Sequence, residues 1–346
     1  MRTRFALLLL LACGMARAEP VQQFAQLGDL KLENQSVIEH CSLGYRTLGS
    51  LNAARSNAIV FLSWHTGTSG EALSMLGQKG LFDPAPYFVV LIDALGNGVS
   101  CSPSNSATQR GPAFPVFTIR DMVESEYRLL TETLKLEHVH AVMGFSMGGM
   151  QTFQWMVSHP DFMDVAIPLA GTPRQTSYDK LFWRTEEMAM LSDPDYANGH
   201  YLKNPGLATY RLLLSMQITT PAYRMARTTP AAFDAFFQKS IAADPDAADA
   251  NDSRWQIRAM LAQDIGESAA HGSERTLELA AKKVRARVHI VNALQDHMVN
   301  PNPALDFAKL LHADTTLLKG DCGHVAVNCE MELIRPAVEA ALKALP

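Results

Sequence analysis

The stretch "VHAVMGFSMGGMQTFQW", residues 139–155, sets Ser146 between a short β-branched run and an apolar helical pattern. Its centre, "GFSMG" (Gly144–Gly148), matches G-x-S-x-G. A strand that turns sharply into a helix at such a serine lifts the hydroxyl into a cleft. Glycines at both ends leave room for the turn and for close helix–strand packing. The same geometry aims the Met147 N–H and the helix N-terminus at any oxyanion that forms, so Met147 is the first candidate oxyanion donor.

A serine alone is a weak nucleophile and needs a base that is itself oriented by an acid. "NALQDHMVNP" puts Asp296 just after a strand candidate, and "KGDCGHVAVN" puts His324 just after the next. Both lie at carboxyl ends of strands, where open α/β sheets build their sites. Asp321 is a competing acid, but its closeness to His324 in sequence suits a loop hydrogen bond better. For the second oxyanion donor, the loop "SWHTGTSG" after an early strand offers the Gly67 N–H, with His65 read as a packing or hydrogen-bonding residue.

Outward from this stretch, apolar β-branched runs alternate with helical patterns, which predicts a mainly parallel sheet covered by helices on both faces. The strand candidates are Asn57–His65, Tyr87–Asp93, Val139–Gly144, Asp164–Gly171, Val288–Ala293 and Thr315–Gly320, after an antiparallel pair near Leu30–Glu33 and Val37–Thr47. Helices are expected over Thr118–Leu136, from Met147 to His159-Pro160, and over Glu330–Leu345. From Thr172 to Ala286 the strand pattern stops, and a Met-rich helical segment follows. An insertion of that size between two strands predicts a lid, residues 172–286, over a core of residues 19–171 and 287–346.

The first 18 residues carry Arg2 and Arg4, an apolar run, and Ala16-Arg17-Ala18, the pattern of a signal peptide cleaved after Ala18. A lipidated Cys13 is the alternative, though Leu11 suits it poorly. The expected location is periplasmic or secreted, without stable membrane insertion after cleavage. Losing three arginines and no acid takes the net charge from −5 to −8. With no basic stripe, nucleic acid is not an expected partner. Four cysteines remain, Cys41, Cys101, Cys322 and Cys329. The last two could close a short loop, but sequence leaves the pairing open. No motif indicates a metal or other cofactor, and oligomeric state is not legible.

The motifs "GFSMGGMQ", "LGNGVSCSPSN" (Leu95–Asn105), "FPVFTIRDMV" (Phe114–Val123) and "DPDYANGHYLKNPGLATYR" (Asp193–Arg211) resemble the homoserine O-acetyltransferases, from about Asn57 onward. The resemblance implies an α/β-hydrolase fold, a Ser146–Asp296–His324 triad with Met147 and Gly67 as oxyanion donors, and Arg211 as the grip on a substrate carboxylate. Read without it, Arg211 is a surface or lid ion-pair residue. Two departures bear on the reaction. Where the family has an aspartate after the catalytic histidine to hold the acceptor's amino group, this chain has Val325. An exported protein would also lack cytosolic acetyl-CoA. The expectation is therefore an exported serine hydrolase acting on a small acyl compound, with acyl transfer to another acceptor and a ligand-binding scaffold as the alternatives.

Overall fold

In a computed structural model, residues 20–242, 248–269 and 276–343 are described; the expected signal peptide, residues 1–18, lies outside them. The strands are β1 (Gln23–Lys31), β2 (Val37–Leu48), β3 (Ala58–Leu62), β4 (Phe88–Ile92), β5 (Val139–Phe145), β6 (Met163–Leu169), β7 (Arg287–Ala293) and β8 (Asp314–Leu318). They make one sheet in the order β1-β2-β4-β3-β5-β6-β7-β8. β2 runs antiparallel to β1 and β4. The pairs from β4 through β8 are parallel.

Strand periodicity divides each apolar run between two cores. Val60, Leu62, Val90, Ile92 and Val142 pack into one face. Ile59, Phe61, Val89, Leu91 and Met143 pack into the other. Because both faces are covered, the central strands need no polar positions. The first strand departs from expectation: β1 spans Gln23–Lys31 rather than Leu30–Glu33. Ala25, Leu27 and Leu30 face inward among glutamines, and register shifts around Gly28 break the alternation that would have marked it.

Helix Ile119–Arg128 opens on a capping box, Thr118 accepting from the Asp121 N–H and Asp121 returning to the Thr118 N–H. Helix Met147–Ser158 follows β5 directly. Between β6 and β7 come helices Ser177–Leu191, Ala208–Gln217, Pro221–Arg227, Phe233–Ile241 and Ala250–Leu261, then the shorter Ile265–Ser268 and Leu277–Lys283. The last two pack on helix Met147–Ser158 beside the sheet. The earlier ones contribute Trp183, Tyr210, Leu214 and Ile218 to the cavity above Ser146.

Candidate active site

The turn at Ser146 is held by backbone contacts that exclude side chains. Ser146 has φ 58° and ψ −117°, outside the regions an L-residue ordinarily occupies. A Cβ on Gly148 would lie 2.2 Å from the Leu62 carbonyl oxygen, and one on Gly144 would meet Gly148 at 2.5 Å. The Ser146 N–H donates to the Leu169 carbonyl at 2.8 Å, pinning the turn to β6. The side-chain amide of Gln151 donates to the Ser63 carbonyl at 3.0 Å and ties the helix to the end of β3.

Three side chains from separate strand ends meet here. The Ser146 hydroxyl lies 2.8 Å from His324 Nε2. His324 Nδ1 lies 2.7 Å from Asp296 Oδ2. The other carboxylate oxygen of Asp296 accepts from the Met298 and Val299 N–H groups at 2.9 and 3.0 Å. Those donors occupy Oδ1 and leave Oδ2 to accept from Nδ1–H, so Nε2 can take the serine proton. All three residues are buried. Asp321 joins this chain of hydrogen bonds nowhere; its carbonyl accepts from the Thr220 hydroxyl instead.

The chain faces a cavity of about 380 Å³. Trp64, Met75, Phe145, Leu214, Ile218 and Val325 give it an apolar wall. His65 is also on the wall, its Nε2 donating to the Ser253 carbonyl at 3.1 Å. Burial pushes the His65 pKa down to about 4, the hydrogen bond to Ser253 opposing it only in part, so the ring is neutral.

Two sequence expectations are corrected. The Gly67 N–H donates to the Trp64 carbonyl at 2.9 Å and is not free for an oxyanion. The Thr66 N–H is also taken, by Gln256 Oε1 at 2.7 Å. Trp64 and His65 of the same loop line the cavity wall. Met147, by contrast, heads its helix, where the first N–H groups have no intrahelical partner. Arg211 also stands elsewhere. Its guanidinium donates to the Ala242 carbonyl, while its neighbour Tyr210 and Leu214, one turn on, face the cavity.

Sequence reading missed Gln256. It is buried on helix Ala250–Leu261, accepts from Thr66 and donates to the Leu95 carbonyl at 2.9 Å, so one amide fixes two loops. A lone glutamine on a helix carries no sequence mark for such a role. The cysteines resolve as Cys41–Cys101 and Cys322–Cys329.

Fold, elbow and sheet order define the class. Residues 72–327 match the family described as alpha/beta hydrolase fold, and the chain belongs to it. Within that class it belongs to the homoserine O-acetyltransferase-like branch. The homoserine O-acetyltransferase of Geotalea daltonii is 30% identical over 91% of this chain and 95% of its own length. A probable esterase of Corynebacterium glutamicum is 36% identical, but that match spans only 56% of either chain, little over half the relative's length. The crystal structure of an acetylester hydrolase from Corynebacterium glutamicum superposes with TM-score 0.85 at 25% identity, over 94% of this chain and 96% of that one.

Proposed function

We propose that the protein is an exported esterase that hydrolyses small uncharged acyl esters through an acyl-Ser146 intermediate. The observation that carries this reading is the Ser146–His324–Asp296 chain of hydrogen bonds facing an apolar cavity. Ser146 Oγ attacks the ester carbon as His324 Nε2 takes its proton, and Asp296 keeps the ring oriented and stabilises the imidazolium. The oxyanion is received by the Met147 N–H at the helix N-terminus, and by Trp64 or His65 from the facing loop; each such donor is worth about 3 kcal/mol. His324 passes the proton to the departing alcohol, then activates the water that frees Ser146.

Water, rather than an amino-acid acceptor, is favoured by what the cavity wall lacks. Val325 offers an ammonium group no partner, and burying that charge unpaired is costly. Arg211 is turned to Ala242 and offers a carboxylate none. We read residues 172–286, between β6 and β7, as a lid, with Trp183, Tyr210, Leu214 and Ile218 reaching the cavity. Export is supported by the signal pattern in residues 1–18 together with two disulfides, which persist in oxidising compartments.

The test is a panel of short-chain p-nitrophenyl and alkyl esters, run with and without homoserine or a simple alcohol, beside Ser146→Ala. The reading expects acid and alcohol as products, fluorophosphonate labelling at Ser146, and neither with Ser146→Ala. Products that partition almost wholly to the added acceptor would replace hydrolysis by acyl transfer.

A further inference from the structure

His324 sits in a segment that cannot hold its own shape. It consists of two helical fragments, Gly323–Val325 and Ala326–Cys329. Fragments this short do not persist in water, because nucleating a turn fixes several dihedrals for one hydrogen bond. The imidazole must nonetheless stay within roughly 0.5 Å of its working position, since looser placement forfeits much of the advantage of a preorganised base. Restraint therefore comes from outside the fragments.

Three sources are visible. On the lid side, the His324 N–H donates to the Ile218 carbonyl at 3.1 Å and the Thr220 hydroxyl to the Asp321 carbonyl at 2.5 Å. Gly323, at φ +64°, lets this face approach so closely that a Cβ would lie 3.1 Å from Thr219 Cα. At the base of the loop, the Glu330 carboxylate accepts from the Lys319 and Gly320 N–H groups at 3.2 and 3.0 Å. Across the segment itself runs the Cys322–Cys329 disulfide, joining residues seven positions apart with His324 between them, Cα atoms 6.5 Å apart. The first two restraints are hydrogen bonds that water can replace; the third is covalent.

The two disulfides differ in access. Cys41 and Cys101 are both buried, tying β2 to the loop after β4. Cys322 is buried but Cys329 is exposed, so the bond beside the site can be reached by a thiol.

We propose that the Cys322–Cys329 disulfide is a positioning element for His324, so that turnover at this site depends on the bond being formed. The inference rests on reading His324 as the base of the reaction. A dithiol reductant supplies the chemistry that breaks it. One of its thiolates attacks Sγ of Cys329 and expels the Cys322 thiolate, which is protonated. Its second thiol then displaces Cys329 and closes the reductant's own disulfide, so the reductant loses the two electrons the protein gains. In a thiol-rich compartment the site would be idle, and oxidation would switch it on.

The test measures kcat and KM for p-nitrophenyl acetate with the wild-type protein and with the double variant Cys322→Ala/Cys329→Ala. Far-UV circular dichroism and a melting curve report the fold. The expected result is a fall in kcat of about 10-fold or more, with KM within about twofold and a slower fluorophosphonate reaction at Ser146, as for a misplaced base rather than a lost pocket. A lowered melting temperature with unchanged kcat would reduce the disulfide to a stabiliser and overturn the proposal. If the double variant does not fold, the wild-type protein is reduced stepwise with dithiothreitol, free thiols are mapped by mass spectrometry, and the protein is reoxidised. Activity that falls with loss of the Cys322–Cys329 bond and returns on reoxidation supports positioning; activity that survives its reduction overturns it. Wild-type protein without esterase activity, or Ser146→Ala with full activity, would sink the reading of the site instead.

Discussion

The elbow at Ser146 and the helix carrying Arg211 are each marked by a short motif, but what sets their side chains' directions differs. The elbow is specified by what surrounds it within a few residues: two glycines, one strand end and one helix start leave no room for another arrangement. Where Arg211 points depends on the rotation of helix Ala208–Gln217. Tyr210 and Leu214 line the cavity, while the guanidinium of Arg211 is held by the Ala242 carbonyl after the next helices. Local sterics can be read from a pentapeptide. Orientation set by packing against distant segments cannot.

The comparison sharpens into measurements. The largest effect is expected from Asp296→Asn, which leaves the hydrogen-bonded geometry nearly intact but favours the wrong histidine tautomer; kcat on p-nitrophenyl acetate should fall by about 10³- to 10⁴-fold. A loss under tenfold would mean that the carboxylate does not orient His324. Gln256→Ala comes next. It strands the Thr66 N–H and the buried Leu95 carbonyl, so it should cost about 1–3 kcal/mol in urea unfolding and lower kcat about 10-fold through the loosened loop. Stability loss with unchanged kcat would separate Gln256 from the chemistry.

Glu186 gives a smaller effect with a definite sign. It is buried on helix Ser177–Leu191, and burial pushes its pKa from 4.5 up to about 9. Between those values the folded protein keeps a proton that the unfolded chain has released. Stability therefore falls as pH rises through the window and levels off above it. Glu126, raised by burial to about 8 against an opposing hydrogen bond from Trp155, slopes the same way. Urea midpoints at pH ~5 and pH ~9 should differ less in Glu186→Gln than in the wild-type protein; equal differences would contradict the burial. The smallest effect belongs to Arg211→Ala, for which kcat/KM should stay within about twofold on both neutral and carboxylate-bearing esters. A selective loss on the carboxylate esters would restore the grip that its bond to Ala242 argues against.

Most of the sheet was legible because its strands are buried on both faces, and uninterrupted β-branched runs announce that. β1 was misplaced because it lies at the edge, carries glutamines and is broken in register at Gly28. Ser146, Asp296 and His324 could be nominated because each follows a recognisable strand. The Gly67 expectation failed on the fate of a single N–H, which the turn claims for the Trp64 carbonyl. Gln256 was invisible because its meaning lies in two loops far from it in sequence.

That glutamine bears on how the protein could be rebuilt. Helix Ala250–Leu261 supplies the acceptors for the Thr66 N–H and the His65 ring, so part of the segment between β6 and β7 serves as scaffolding for the loop after β3. A segment transplanted from a relative to alter substrate range would bring its own side chain to the place of Gln256 and its own backbone to that of Ser253. Unless they matched, the graft would change the reaction rate along with the selectivity, and the two could not be tuned separately.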